Sequence, residues 1–484
     1  MNSGTNSGKA QSLIVAALGA CLVLYFVSRH LQMFSDVTFL GGILLLEVVI
    51  LCLWNYEQRV FPLVIVAFVW AGMHVPMQTA WTIGRWVVLS AGAVVGYVLW
   101  TKNFRRPFGA IHLIAFFCIL AAFVSATVSP YIQMASFKAA SLALLFLYCS
   151  AGARVAMIGR EQRFFDGLLL AVEIVVYITA ICYLVLGIPI WGNPNSLGTA
   201  TSIGLFPILL WGWLTANDKP LAKMRMLGAL LVCGYLVFLS MARAGMITIT
   251  LVTLIFCICL KQYKLLVRFS AAMLVMVAVA GMLAPQKLDV ELVSMKDAFL
   301  YKGHKSEGML GSRLSPWQKS INTIKEHPLF GTGYGTSPTG EDPGLDFGKF
   351  ASSSETSREH GSSYMTIAEW VGVLGVLPFI ALLFVTARNV WKVCAWMKRT
   401  GNPRHYSIPL AMVVLSGLFH AGFEDWLFAV GSYPCPFFWV FAFLLADLVP
   451  GTVAVPLARV VSRVPAQARD SFAVGVPNSA ILHR

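Results

Sequence analysis

The chain has 484 residues, of which 58% are hydrophobic and only 12% charged, with a formal net charge of +14. So little polar sequence cannot clothe water-soluble domains of this size, which excludes a soluble globular enzyme. The cationic excess does not imply a nucleic-acid partner, because the Lys and Arg residues sit between apolar runs, where membrane topology accounts for them.

In chain order, the polar stretch MNSGTNSGKAQ leads into an apolar run ending near Ser28. It shows no small-residue cleavage site and reads as a retained span rather than a removed signal. A membrane helix needs about 20 apolar residues to cross a hydrocarbon core of about 30 Å. The sequence supplies 14 such spans, centred near Ala20, Leu46, Ala67, Ala93, Phe117, Leu144, Tyr177, Pro207, Gly234, Leu254, Met276, Phe379, Leu415 and Phe441. The expected fold is all-α: a polytopic transmembrane bundle of about 14 spans with one large periplasmic loop containing short helices.

Orientation follows from Lys and Arg placement. With both termini in the cytoplasm, 23 of the 36 basic residues fall on the cytoplasmic side, against four (Arg29, Arg85, Lys138 and Arg243) in the short outward connections. The remaining nine lie in the outward loop from Pro285 to Ser362, which at 78 residues is too long for an idle connection. The organisation is therefore residues 1–190, N-terminal spans; 191–284, further spans; 285–362, the loop; 363–450, C-terminal spans; and 451–484, a basic cytoplasmic tail. All ten cysteines lie in or beside apolar runs and none in the loop, so neither a disulfide framework nor a Cys-based metal site is indicated there.

Within the loop, Ser315-Pro316-Trp317-Gln318 predicts a helix start, with Ser315 as cap and Pro316 at the first helical position. Trp317, Ile321 and Ile324 then recur as one apolar stripe, and Pro328 ends the helix. Gly340 to Ser357, rich in Gly, Ser and acids, is expected to be mobile without substrate. Gly331-Thr332-Gly333-Tyr334-Gly335 lacks the Lys and Ser/Thr of a phosphate-binding P-loop, so no nucleotide site follows.

Polar groups near membrane depth are the best functional pointers in such a chain. Arg243 sits in so short a connection that it lies at the membrane surface, where the bland alternative is a snorkelling side chain. Arg313 falls near the positive end of the loop helix, an odd place for a cation unless an anion also visits. Arg358, Glu359 and His360 gather at the mouth of a span, and His360 titrates near neutrality, which suits a proton acceptor for an alcohol nucleophile. Trp317 and Tyr364 are candidates for stacking on sugar faces, or else interfacial anchors. Asn193 and Asn195 form a turn by residue type, and Asn195 offers an amide to sugar hydroxyls. His420 and Glu424 share a helix face but lack a third ligand, so zinc is discounted. Glu47 and Glu173 fall inside spans and must face protein or water, which keeps a transporter or flippase as the alternative from another class.

Several motifs occur in order around the outward loop: Arg243; Gly311-Ser312-Arg313-Leu314-Ser315-Pro316-Trp317; His327-Pro328-Leu329-Phe330-Gly331-Thr332-Gly333; and His360 followed by Glu369-Trp370-Val371-Gly372-Val373-Leu374-Gly375. On these the chain resembles the O-antigen ligase and Wzy-type polymerase superfamily of bacterial envelope glycosyltransferases, over roughly Trp191 to Leu445. The resemblance implies an inner-membrane enzyme that transfers a glycan from undecaprenyl diphosphate on the periplasmic side without a metal or other cofactor. Its partners would be the lipid-linked glycan, an acceptor glycan (a further repeat unit or lipid A-core) and the bilayer. Arg243 and Arg313 match the family's diphosphate-contacting arginines, with Arg358 beside them, and His360 matches its catalytic histidine. Gly361-Ser362-Ser363 follows that histidine, where family members often have Asn. Polymerisation of O-antigen or exopolysaccharide repeat units is the leading expectation, with ligation to lipid A-core as runner-up; His360 is the expected base and Glu359 its substitute.

Overall fold

The computed structural model describes residues 37–73, 78–103, 107–216, 220–264, 266–267, 311–337 and 360–451. Among these residues every regular element is a helix. The helices are α1 (Val37–Trp54), α2 (Tyr56–Ala71), α3 (Gln78–Asn103), α4 (Ala110–Thr127), α5 (Ile132–Met157), α6 (Glu161–Val185) and α7 (Pro194–Thr215). After them come α8 (Pro220–Leu239), α9 (Arg243–Cys259), α10 (Gly311–Glu326), α11 (Ser363–Thr400), α12 (Ser407–His420) and α13 (Pro434–Leu448). Seven of them (most of α3, then α4 to α8 and α11) are long and apolar enough to cross a membrane, so the chain is an all-α polytopic membrane protein. Twelve of the expected span centres fall within α1 to α9 and α11 to α13; Ala20 and Met276 lie outside the described residues.

The bundle inverts the surface of a soluble protein. Leu44, Leu113, Phe116, Leu231, Leu377 and Phe384 point outward, as expected where lipid is the solvent. Several charged side chains turn inward and find partners. Arg154, at the end of α5, grips Asp447 of α13 through Nε and Nη2 at 2.7 and 2.8 Å, with its guanidinium 4.0 Å from the Trp100 ring centroid. This forked pair ties the N-terminal helices to the last one. Glu173 is buried in α6 and meets Arg225 Nε of α8 at 2.8 Å, whereas Glu47 is exposed on α1.

The feature that shapes the functional end is a break in α11. At Gly372 the backbone takes φ 67° and ψ −176°, which leaves the carbonyls of Glu369 and Trp370 and the amides of Val373 and Leu374 without helical partners. The segment after α10 supplies replacements. Thr332 N donates to Glu369 O at 3.0 Å and Gly333 N to Trp370 O at 3.1 Å; Val373 N donates to Pro328 O at 2.8 Å and Leu374 N to Leu329 O at 3.2 Å. Residues 328–333 thus splint the broken helix, and buried peptide groups that would be costly unpaired are satisfied. Only glycine permits the contact: a Cβ on Gly331 would lie 2.4 Å from Trp370 C and O, and one on Gly372 would lie 2.5 Å from Gly331 N. The same turn is pinned by Tyr334 Oη donating to Phe428 O at 2.8 Å, Lys138 Nζ donating to Gly335 O at 2.6 Å, and the Ser129–Thr336 hydroxyl pair at 2.8 Å.

The loop helix differs from its expected form. It begins at Gly311 rather than after a Ser315 cap, and Pro316 lies inside it. As the sixth residue of the helix, Pro316 lies past the first turn, and the helix forgoes the bond that an N–H there would make to Ser312 O. The docked face carries Arg313, Trp317, Ser320 and Ile324, and packs on α11, while Ile321 is turned out. Burial of Ser320, invisible to an apolar-periodicity reading, rotates the stripe by one position. The glycine- and acid-rich stretch from Gly340 to Ser357 lies outside the described residues.

Candidate active site

At the splinted end of α11, five segments converge: the turn at 240–243, the start of α7, the first turn of α10, residues 360–363, and the connection 421–433 between α12 and α13. Each is placed by local chemistry. Asn193 caps α7 by accepting from Ser196 N at 2.7 Å, with Pro194 in the first turn. The turn before α9 is strained, with Met241 at φ 49°. It packs tightly on α7 because Gly198 and Gly245 have no side chain; a Cβ on Gly198 would lie 2.3 Å from that of Ala242. This contact sets Arg243 beside the start of α7.

Residues 360–363 are stitched to the 421–433 connection. Ser363 N donates to Ala421 O and Glu424 O at 2.8 and 3.0 Å, Ser363 Oγ donates to Glu424 O at 2.6 Å, and Leu427 N donates to Ser363 Oγ at 3.0 Å. Arg85 Nη1 supports this connection from behind through Gly431 O at 2.5 Å.

His360 lies at the centre with its side chain fully buried. Nδ1 stands 3.4 Å from Asp425 Oδ2, Nε2 stands 3.3 Å from Glu369 Oε1, and the backbone N donates to the same Asp425 oxygen at 3.0 Å. Burial pushes the imidazole pKa down, but hydrogen bonds and charge from Asp425 and Glu369 together outweigh it, and the net shift is upward. Burial alone would raise the Asp425 carboxyl; its bonds to the His360 ring and backbone reverse that and hold it below the usual value. The two carboxylates thus make the ring a stronger base than a free imidazole. Asp425 is 30% exposed at its side chain and opens into a cavity of about 290 Å³ lined also by Asn195, Thr199, Glu424, Trp426 and Tyr433. Across Asn193 and Asn195 lies a second cavity, of about 360 Å³, bounded by Leu239, Ser240 and Met241.

Arg313 lies in the first turn of α10 and reaches Glu424 Oε1 through Nη2 at 2.5 Å. Its side chain packs on Gly361, next to His360, and its charge acts on Arg243. Two guanidinium groups held near each other create a field that favours an anion with several oxygens. Trp317 Nε1 donates to Gly361 O at 3.3 Å. Tyr364 donates its hydroxyl to Leu418 O while its ring stays partly exposed. His420 accepts from Trp426 Nε1 at 3.1 Å and sits 3.4 Å from Thr199 Oγ1.

Of the residues singled out in the sequence, Arg243, Arg313, His360, Trp317, Tyr364 and Asn195 come together at this end of the bundle. Glu359 and Arg358 lie outside the described residues. Asp425 and Glu369, the two carboxylates on His360, were not singled out as site residues, and Glu424 entered only as a discounted zinc ligand. The available signal was Glu424-Asp425, adjacent acids between two apolar runs in a chain with 22 acidic residues in all.

A polytopic helical membrane protein with clustered arginines and a carboxylate-flanked histidine at one end is the class that fold and site define. Residues 228–380, the stretch that holds Arg243, Arg313, His360 and the Gly331–Gly372 splint, match the family described as O-antigen ligase, in agreement with the superfamily that the sequence motifs resemble. No curated protein matches the chain. The match supports glycan transfer in O-antigen biosynthesis, and with the apolar helices it indicates a multi-pass protein of the bacterial inner membrane.

Proposed function

We propose that this end of the bundle faces the periplasm and polymerises glycan repeat units delivered on undecaprenyl diphosphate. The observation that carries the reading is the juxtaposition of Arg243 and Arg313 with the His360–Asp425 pair, beside a cavity that Asp425 and the Arg313 partner Glu424 line.

The acceptor hydroxyl oxygen attacks the anomeric carbon of the lipid-linked sugar, the bond from that carbon to the diphosphate oxygen breaks, and the lipid diphosphate leaves. Negative charge grows on the leaving oxygen as this happens. Arg243 and Arg313 hold it with planar, permanently charged forks, joined by Arg358 from the segment before His360. The incoming diphosphate takes the place of the Glu424 carboxylate on Arg313, since both offer oxygens to the same fork. Such stabilisation is worth about 10²–10³-fold by analogy with one oxyanion donor.

The acceptor proton passes to the buried acid–base group. Asp425 presents its carboxylate to the cavity, while His360 sits behind it and accepts the proton or balances the charge; Glu359 is the neighbouring acid. A base so placed contributes about 10²–10⁴-fold. Asn195 and the exposed face of Tyr364 offer hydrogen bonding and stacking to sugars, and Trp317 fixes the turn that carries His360.

A second reading, ligation of the finished glycan to lipid A-core, is favoured by the description of the matching family. Glycan-length profiling of a deletion strain separates the two. Loss of a polymerase leaves single repeats, whereas loss of a ligase leaves full-length polymer on its lipid carrier. Wild type should rescue, while His360→Ala and Asp425→Asn should not. Rescue by both variants at normal membrane levels would refute the acid–base assignment, and purified protein that forms no glycosidic bond from lipid-linked glycan would refute the activity.

A further inference from the structure

The far end of α11 carries a cavity that glycan transfer does not use. It measures about 500 Å³ and is lined by Trp391, Lys392, Ala395 and Arg399 of α11, with Pro450 and Gly451 just past α13. Lys392 and Arg399 are seven residues apart, two helical turns, and so project from one face about 10 Å apart along the axis. Ala395 between them is small, which makes the hollow. Trp391 beside it is 68% exposed, as an amphipathic ring at a membrane interface would be. The ion pairs among the described residues include neither Lys392 nor Arg399.

The position of the cavity along the bundle identifies its surroundings. Lys392 lies 20 residues beyond the break at Gly372, about 30 Å along the unbroken part of α11. The hydrocarbon core of a bilayer is about 30 Å thick. With the His360 end at one membrane surface, the cavity is at headgroup depth in the opposite leaflet.

We propose that this cavity binds the headgroup of an anionic phospholipid, with Lys392 and Arg399 holding the phosphodiester and Trp391 resting at the acyl boundary. The acyl chains run along the outward apolar face of α11, where Leu377, Ile380 and Phe384 are exposed. Chain beyond Gly451 is a poor competitor: residues 452–484 contain four arginines and a single acid, Asp470, and share the sign of the cavity. The proposal is independent of which glycan the other end handles.

The test is native mass spectrometry of the full-length protein in detergent, titrated with dioleoyl phosphatidylglycerol and, separately, dioleoyl phosphatidylcholine. The expected result is preferential retention of the anionic lipid, with affinity about 30-fold lower in the Lys392→Ala/Arg399→Ala variant. Ala395→Phe should abolish the preference while leaving both charges in place, and serves if the double variant folds poorly. Arg388→Ala, an exposed cation of the same helix outside the cavity, should change nothing. Equal retention of both lipids, or an equal loss with Arg388→Ala, would overturn the proposal in favour of diffuse surface charge. Displacement of the lipid by millimolar inorganic phosphate would show a free-anion site instead and overturn it as well.

Discussion

Gly331→Ala separates the splint from ordinary glycine strain. The residue sits at φ 73°, so a side chain costs about 1 kcal/mol in backbone conformation alone. The new Cβ would also lie 2.4 Å from Trp370 C and O and 2.5 Å from Glu369 O. These are backbone atoms of the broken helix and cannot step aside without opening the bonds from Thr332 N and Gly333 N. Leaving those two buried acceptors unsatisfied costs about 1–3 kcal/mol each. The total is about 3–7 kcal/mol, enough to displace the splint while the surrounding bundle stays inserted. Glu369 would move with it, and His360 would lose the carboxylate on Nε2. Gly401→Ala is the control: its φ is 64°, but nothing lies within 4 Å of the added Cβ, so only the backbone cost remains. Thermal unfolding in detergent and glycan-length rescue should both fail for Gly331→Ala and be nearly normal for Gly401→Ala. If the two variants unfold at the same temperature and rescue equally, the splint does not organise the site.

Four further outcomes follow from the same geometry. Arg243→Ala should lower transfer by about 10²–10³-fold, with Arg243→Lys recovering part of it because charge returns without the fork; single-turnover transfer by purified protein measures this. The raised His360 pKa contributes stability that is complete below the unfolded value near 6.5 and lost as pH rises through the folded value. The lowered Asp425 pKa contributes stability that is complete above its unfolded value near 3.8 and lost as pH falls through the folded value. The melting temperature should therefore fall as pH rises above about 6.5, and Asp425→Asn should flatten that fall. Asp447→Ala leaves a buried guanidinium uncompensated and should destabilise the bundle by about 3–5 kcal/mol, read as loss of folded protein on detergent extraction.

Much of the architecture was legible because lipid imposes a one-dimensional rule: about 20 apolar residues per crossing, with cations kept to one side. That rule located helices from Leu46 to Leu254 and from Phe379 to Phe441, seven of them long and apolar enough to cross a membrane, and it left Arg243, Arg313 and His360 conspicuous where polar groups are costly. Residue type and order, quoted as motifs, also sufficed to indicate the superfamily. The start of α10 was misread because Ser315-Pro316 carries a strong local signal, yet the docked face of the helix, with buried Ser320 and half-buried Arg313, extends it back to Gly311.

What the tertiary structure decided is partnership across long separations. Asp425 is 65 residues from His360, and nothing in local spacing joins them. The glycines of 331–335 looked like a failed nucleotide loop, and only the pairing with Gly372 shows their use. There an apolar helix is broken, and a distant turn of the same chain satisfies the four peptide groups that lost their helical partners. Periodicity reports how each segment meets its solvent; which segments meet one another is settled by hydrogen-bond satisfaction and close packing, and these exist only once the chain has folded.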